Sequence, residues 1–125
     1  MTSPYALGIA KEIVTNFMDL LGANSPAAAD FLSKDATIDW KTDSSASRNG
    51  RLEIFQFFKT IPLFKHRLIE FDCQDIGPTP QLIMVTSDGI LLISGNSNRY
   101  HATFIIKYSQ EKMAAHIVHL SFAFV

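Results

Sequence analysis

Apolar residues at the start of the chain recur at the spacing of a helix. Ile9, Ile13 and Phe17 follow one another at intervals of four, which places their side chains on one face of an α-helix. Ser3-Pro4 offers a capping hydroxyl and a proline at the first helical position, and Gly22 is a typical helix end. The pattern predicts an amphipathic helix that begins at Pro4 and ends at Gly22.

Two further helices and one strand are predicted before residue 61. Ser25-Pro26 repeats the helix-start signal, so residues 27–33 are expected to form a short helix. A third helix is predicted over 51–60, where apolar residues again recur at helical spacing. Between these two helices, residues 36–40 predict a short strand and residues 42–49 a polar loop.

The second half of the chain is rich in strand signals. Four strands are predicted, over 65–74, 81–93, 99–108 and 113–124, and the Gly- and Asn-containing segment 94–98 predicts a hairpin turn. Helices that precede strands along the chain are typical of an α+β domain. We therefore expect residues 1–125 to form a single domain, with three N-terminal helices packed on one face of a curved antiparallel sheet.

The other face of this sheet is predicted to need a partner. The strand over 81–93 is apolar on both faces, at 82–85 and 90–93, although the helices can cover only one face. In the last two strands, alternation turns one set of side chains away from the helices: His101, Thr103, Ile105, Ile117, His119, Ser121 and Ala123. A partner subunit is expected to cover this second face.

Composition and charge exclude several classes of protein. Eleven Lys and Arg residues oppose twelve Asp and Glu residues, so the net charge of −1 argues against a strongly basic nucleic-acid module or a polybasic membrane binder. The single cysteine, Cys73, allows no intrachain disulfide, which fits a reducing compartment. No signal peptide or membrane span is expected, because no apolar run approaches the roughly 20 residues that a span needs.

The histidines do not suggest a metal site. His116 and His119 are three residues apart in a predicted strand, so they are expected on opposite faces, and His66 and His101 lie in other strands. No phosphate-binding, dinucleotide-binding, hydrolase or Cys-x-x-Cys motif occurs in the chain. We therefore predict no metal, no cofactor and no catalytic residue.

A few polar residues are candidates for a site inside the fold. Asp39 and Asp72 lie in predicted strands, where a buried carboxylate can act as a general base. Tyr5 and Tyr100 are further candidates, but nothing in the sequence ties the four together. The basic cluster Lys65-His66-Arg67 is expected to be a solvated strand end.

The order of elements and several local motifs resemble the nuclear transport factor 2-like family, which has a cone-shaped fold. Ile38-Asp39-Trp40 resembles the end of the family's first strand, and Phe122-Ala123-Phe124 resembles its closing Phe-Arg-Phe. Asp72-Cys73-Gln74 and the hairpin Gly95–Arg99 resemble motifs of one branch, the nuclear transport factor 2-related export proteins. These proteins are the small partners of nuclear RNA export factors.

The resemblance implies a small non-catalytic subunit of an mRNA export receptor heterodimer. Its sheet face would bind a like-folded domain of the large subunit, with Arg99 as a hydrogen-bond donor beside the seven outward residues named above. Nucleoporins would be bound through the complex, RNA only indirectly, and no membrane would be involved. The implied location is the nucleus and cytoplasm, at the nuclear pore complex, and a homodimer is the alternative assembly where the partner is absent.

The sequence departs from the family pattern at functionally important places. Ala123 stands where the family has an arginine that pairs with an acid of the large subunit. The hairpin Ser94–Asn98 has no acid, and Lys41 replaces a glutamate, so the charges that bind Ran-GDP in nuclear transport factor 2 are missing. A homodimeric Ran-GDP import carrier therefore ranks below the export subunit. A cone-fold enzyme of the isomerase or dehydratase type is the other alternative.

Overall fold

A computed structural model describes residues 4–41, 45–77, 82–109 and 114–125. The helices are α1 (Pro4–Gly22), a 3-10 helix (Pro26–Phe31) and α2 (Arg51–Phe58). The strands are β1 (Leu32–Lys41), β2 (Ser45–Asn49), β3 (Lys65–Gly77), β4 (Leu82–Ile93), β5 (Asn96–Ser109) and β6 (Ala114–Phe124). The predicted cap Ser3 and the side chain of Tyr5 lie outside the described part of the chain.

The helices occur where the apolar spacing places them. In α1, the buried residues Ala10, Val14 and Phe17 form a continuous stripe against the sheet, as the amphipathic pattern predicts. The second helix is a single 3-10 segment rather than an α-helix, and it begins where the Ser25 hydroxyl accepts a hydrogen bond from the Ala27 amide at 3.2 Å. An α+β fold with N-terminal helices is therefore confirmed.

The sheet has six strands in the order β2-β1-β6-β5-β4-β3 and is mixed. All neighbouring strands pair antiparallel except β1 and β6, which run parallel. The expectation of an antiparallel sheet is therefore wrong for this one pair. Side chains alternate in the same way in parallel and antiparallel strands, so the sequence pattern does not reveal strand direction.

Part of the predicted polar loop over 42–49 is a strand. Residues 45–49 form β2, which pairs with β1 and places Ser47 opposite Asp39. This segment has no apolar alternation because it is an edge strand. Edge strands commonly carry polar side chains, which prevent them from pairing with other molecules.

The core lies between the helices and the inner face of the sheet, and aromatic rings fill its centre. Phe17 of α1 makes edge-to-face contacts with Phe31, Phe58 and Phe104, with ring centroids 5.8–6.3 Å apart. Trp40 of β1 stacks on Phe122 of β6 with centroids 3.9 Å apart. Aromatic pairs of this kind stabilise a core beyond the area that they bury.

A β-bulge changes which residues of β6 face the core. Ile105 of β5 pairs with His119, but the next residue, Ile106, pairs with Ile117, so Val118 is an extra residue in β6. Ile117 is consequently 0% exposed and packs in the core. The prediction that Ile117 shares the outward face with His119 is wrong, because uninterrupted alternation was assumed.

Candidate functional site

The candidate functional site is the outer face, defined here as the sheet face turned away from the helices. On β5, the buried Tyr100, Ala102 and Phe104 alternate with outward side chains, and on β6 the buried Leu120 and Phe122 do the same. The outer face of these two strands therefore holds Arg99, His101, Thr103, Ile105, His119, Ser121 and Ala123. Every predicted interface residue except Ile117 lies there.

The centre of the outer face carries no charge that lacks a partner. The register places Thr86, Thr103 and Ser121 side by side across β4, β5 and β6. The neighbouring row holds Met84, Ile105 and His119 in the same three strands. Uncharged side chains in the middle of a surface are typical of the centre of a protein interface.

Charged residues surround this centre. Ile90 pairs with Arg99 and Leu82 pairs with Lys107, which places these cations towards the two ends of the strands. Asp39 and Lys41 of β1 lie beside Ser121 and Ala123. A charged rim around an uncharged centre is the usual anatomy of an interface between proteins.

Two histidines on the outer face are oriented by neighbouring strands. His101 Nδ1 donates a hydrogen bond to the Asp88 carboxylate at 2.8 Å. His119 Nδ1 lies 2.6 Å from the Thr37 hydroxyl of β1. These contacts link β4 to β5 and β1 to β6, so they hold polar groups in set positions on the face.

The sequence-predicted acids do not meet inside the fold. Asp72 is exposed on β3 and pairs with Thr86, and Asp39 lies opposite Ser121, so both belong to the outer side of the sheet. Tyr100 is the one of the polar candidates whose described side chain lies in the interior. Neither acid is buried inside the fold, as the predicted role of a buried general base would require.

A polar pair that the sequence did not indicate lies inside the fold. His66 Nε2 is 2.5 Å from the Tyr100 hydroxyl, and the His66 side chain is only 1% exposed. The expectation that His66 belongs to a solvated basic cluster is wrong, although Lys65 and Arg67 are exposed. Strand alternation turns His66 inward between its two exposed neighbours. The alternation of exposed and buried positions along β3 is therefore a signal from which the burial of His66 could have been predicted.

The surroundings keep both members of this pair neutral. Burial lowers the pKa of His66, and the nearby Asp19 carboxylate raises it by a smaller amount. Burial raises the pKa of Tyr100 to about 12, while the Ser87 hydroxyl lowers it and Asp88 raises it further. Asp19 Oδ1 is 3.9 Å from His66 Nδ1, so we assign the imidazole proton to Nδ1 and the Tyr100 hydroxyl as donor to Nε2.

Close packing surrounds the Tyr100 end of this pair. Tyr100 occupies space beside Gly89, where a Cβ atom would come within 2.6 Å of the ring. The hydrogen bond between His66 and Tyr100 joins β3 to β5 across the intervening β4.

Within 4–41, 45–77, 82–109 and 114–125, no three His, Cys, Asp or Glu side chains come together in a way that could hold a metal ion. In the same ranges, no helix has the length and apolar character needed to cross a bilayer.

Comparison with protein families assigns the chain. Residues 9–116 match the model of the nuclear transport factor 2 (NTF2) domain. The chain belongs to the NTF2 domain family. No curated protein sequence is significantly similar to it.

Solved structures share its fold at low sequence identity. The yeast UBP3-associated protein BRE5 is 18% identical, with a TM-score of 0.80, and the match covers 100% of this chain and 98% of that one. The chain is also similar to BRE5 in its complex as a cofactor of the yeast deubiquitinase Ubp3, with 19% identity, a TM-score of 0.76 and coverage of 94% and 95%. Ntf2 from Cryptosporidium parvum is 17% identical, with a TM-score of 0.79 and coverage of 100% and 98%. These likenesses establish the NTF2-like fold.

Proposed function

We propose that this NTF2 domain is a non-catalytic subunit that binds a like-folded domain through its outer face. The observation that carries the proposal is the uncharged centre of that face, formed by two rows across β4, β5 and β6 and surrounded by charged residues. A partner would remove Met84 and Ile105 from water without burying an unpaired charge.

A sheet is the partner surface that best fits this face. Stacked sheets pack about 10 Å apart and match because both have the same handed twist. A second NTF2-like domain offers such a sheet. The BRE5 domain, which has this fold, is found in a complex with another protein, the deubiquitinase Ubp3.

For the partner we propose the NTF2-like domain of an mRNA export receptor. This choice rests on the resemblance of Asp72-Cys73-Gln74 and the hairpin Gly95–Arg99 to the export branch of the family. In that role the chain would stabilise the large subunit and reach nucleoporins through the complex at the nuclear pore. Arg99, exposed beside Ile90, would donate hydrogen bonds at the rim.

A non-catalytic role is supported by the state of the interior polar groups. Tyr100 is buried in the core and bonded to His66, whose side chain is 1% exposed. A general acid or base has to reach a substrate atom within hydrogen-bond distance. His66 already uses Nε2 for its bond to Tyr100, and the acids Asp39 and Asp72 lie on the outer side of the sheet, which favours a binding subunit over an isomerase or dehydratase.

The alternative of a Ran-GDP carrier is weakened by the charges at the hairpin. Lys41 is exposed, and the residues from Ser94 to Asn98, which form the turn and the start of β5, carry only neutral polar side chains or none. A basic partner would lose charge-assisted bonds there, each important for the affinity of an interface. The export subunit is therefore preferred.

The proposal is tested by placing a charge in the centre of the outer face. In Ser121→Glu, the new carboxylate would be buried against the partner, so binding to the purified NTF2-like domain of an export receptor should be lost. The control is Gln56→Glu, which adds the same charge on exposed α2, on the helical side of the sheet. Calorimetry measures binding, and circular dichroism checks that both variants fold.

The outcomes separate the two parts of the proposal. If Ser121→Glu binds as tightly as the unaltered chain, the outer face is not the interface. If the export receptor domain does not bind but the chain forms a homodimer that Ser121→Glu dissociates, the face is correct and the mRNA export partner is wrong.

A further inference from the structure

A cavity of about 850 Å³ opens where α1 ends beside the start of β3. Its walls come from the end of α1, from the segment that enters β3, and from the end of β4 with the hairpin that follows. The volume lies in the range of roughly 300–1,000 Å³ that is usual for small-molecule sites. It is separate from the central rows of the outer face.

The walls of this cavity are largely apolar and well supported. Leu63 and Leu92 are exposed there, and Phe64, a buried residue of the core, also lines the cavity. The Phe64 amide donates to the Gly22 carbonyl at 3.0 Å, which joins the end of α1 to the start of β3. A Cβ atom at Gly22 would collide with the Phe64 ring, so the close approach depends on glycine. The cavity is therefore preformed.

Two opposite charges line the same cavity. Asp19 has an exposed carboxylate, and its Oδ1 atom lies 3.9 Å from His66 Nδ1. Lys65 is exposed, and no salt bridge joins it to Asp19 within the described residues. Asp19 and Lys65 thus give the cavity one anionic acceptor and one cationic donor of hydrogen bonds, with no net charge, beside the Ser94 hydroxyl and the His66 ring.

We propose that this cavity binds small molecules in which an apolar group carries an uncharged carboxamide. The amide N–H donates to the Asp19 carboxylate, the amide carbonyl accepts from the Lys65 ammonium, and the apolar group packs on Leu63 and Leu92. A ligand with a carboxylate in place of the amide would bring a like charge to Asp19, and a ligand with a cationic group there would bring a like charge to Lys65. The proposal goes beyond the interface function and does not depend on it.

The buried His66–Tyr100 pair lies beside the cavity and provides a reporter for it. His66 lines the cavity, and its Nδ1 atom is 3.9 Å from Asp19. A ligand that engages Asp19 changes the electrostatic environment of the ring. The chemical shifts of the His66 ring nitrogens should therefore move on binding.

The test uses three molecules of nearly the same shape: benzamide, benzoate and benzamidinium. Each is titrated into the ¹⁵N-labelled full chain and followed by NMR. Benzamide should shift the amides of Asp19, Phe64 and Lys65 together with the His66 ring, with a dissociation constant on the order of millimolar for so small a molecule. Benzoate and benzamidinium should each bind about tenfold more weakly, as expected when a hydrogen bond is replaced by a like-charge contact.

Variants identify the groups responsible. Leu63→Ser should weaken benzamide binding severalfold, whereas Leu52→Ser, which alters a similarly exposed leucine on α2, should not. Asp19→Asn should strengthen benzoate binding, and Lys65→Gln should strengthen benzamidinium binding. These opposite shifts in ligand preference cannot come from loss of stability, because both residues are exposed.

Three results would overturn the inference. One is the absence of saturable shifts around the cavity with benzamide. Another is tighter binding of either ion than of benzamide to the unaltered chain, which would assign the cavity to charged ligands. The third is equal benzamide binding by Leu63→Ser and Leu52→Ser, which would place the ligand elsewhere.

Discussion

Aromatic residues only two positions apart in the chain differ sharply in their burial and therefore in what they contribute to the stability of the core. Phe122 is 0% exposed, stacks on Trp40 at 3.9 Å and lies 5.2 Å from Tyr100. Phe124 is 38% exposed at the end of β6. The family-like closing segment Phe122-Ala123-Phe124 thus combines a core residue, an outer-face residue and a residue at the edge of the core.

Substituting these two phenylalanines should separate the core from its edge. Phe122→Ala leaves a cavity between Trp40 and Tyr100 and should lower the free energy of unfolding by about 3–5 kcal/mol. Phe124→Ala should cost about 1 kcal/mol or less, because its side chain is already partly in water. Urea denaturation measures both, and equal losses would contradict the assignment of Phe122 to the core.

The buried histidine should make stability depend on pH. Burial lowers the pKa of His66 in the folded chain, while in the unfolded chain it returns to about 6.5. Between these two values the unfolded state binds more protons, so the free energy of unfolding falls as the pH drops below about 6.5 and levels off below the folded pKa.

The measurement compares urea denaturation at pH 7.5 and pH 5 in the unaltered chain and in His66→Gln. Removing the titrating ring should make the loss on acidification smaller. His116→Gln is the control, because His116 is an exposed histidine on β6. If His66→Gln and the unaltered chain lose the same amount, the His66 ring is not the group that titrates.

Among the secondary-structure elements, β6 shows how a single extra residue redirects a surface. The bulge at Val118 turns Ile117 into the core, while His119 and Ser121 remain on the outer face. A charge at position 117 is therefore a test of folding and not of binding.

Ile117→Glu should strongly destabilise the domain. The new carboxylate would be buried in the core without a partner, and burying an unpaired charge costs on the order of several kcal/mol. His116→Glu changes an exposed neighbour and should leave the free energy of unfolding within about 0.5 kcal/mol. A stably folded Ile117→Glu protein that fails only to bind its partner would show that the alternation continues unbroken through β6.

The sequence predicts the elements better than their pairing. The stripe of Ile13 and Phe17 and the strands after residue 65 are visible because burial imposes a period on apolar residues. The bulge at Val118 leaves no such mark, because it depends on the partner strand. The parallel pairing of β1 with β6 is not visible in the sequence either, because it too depends on which strand lies alongside. The polar strand β2 carries no apolar period at all.

The candidate site is predicted in the same uneven way. Alternation along β5 locates His101, Thr103 and Ile105 correctly, since both neighbouring positions of each are apolar or buried. The same rule applied to β3 would have turned His66 inward. The meeting of His66 with Tyr100 could not have been foreseen, because their strands are separated by β4 in the sheet.

For the whole molecule, the two surfaces that matter are chemically distinct. The outer face is broad, with uncharged rows in its centre, whereas the cavity at the end of α1 is small and lined by opposite charges. Substitutions at Ser121 and at Leu63 therefore address one surface each. Their effects should add, because distant sites rarely couple.

Covering the outer face should make the stability of the domain depend on concentration. A partner that binds only the folded state raises the apparent stability by mass action. In the absence of another partner, we expect a second copy of the chain to cover the outer face, so the isolated chain should self-associate at micromolar concentrations. Its melting temperature should then rise with its concentration. Sedimentation velocity and thermal melts over a hundredfold range of concentration measure the two effects together.

Ser121→Glu should abolish both effects, since dimerisation would bury two carboxylates near the centre of the interface. Gln56→Glu carries the same added charge on the helical side and should behave like the unaltered chain. Each tenfold change in the association constant corresponds to about 1.4 kcal/mol, so two buried charges suffice to convert a micromolar dimer into a monomer. A chain that sediments as a monomer at every concentration, with a constant melting temperature, would show that the outer face is stable in water without a partner.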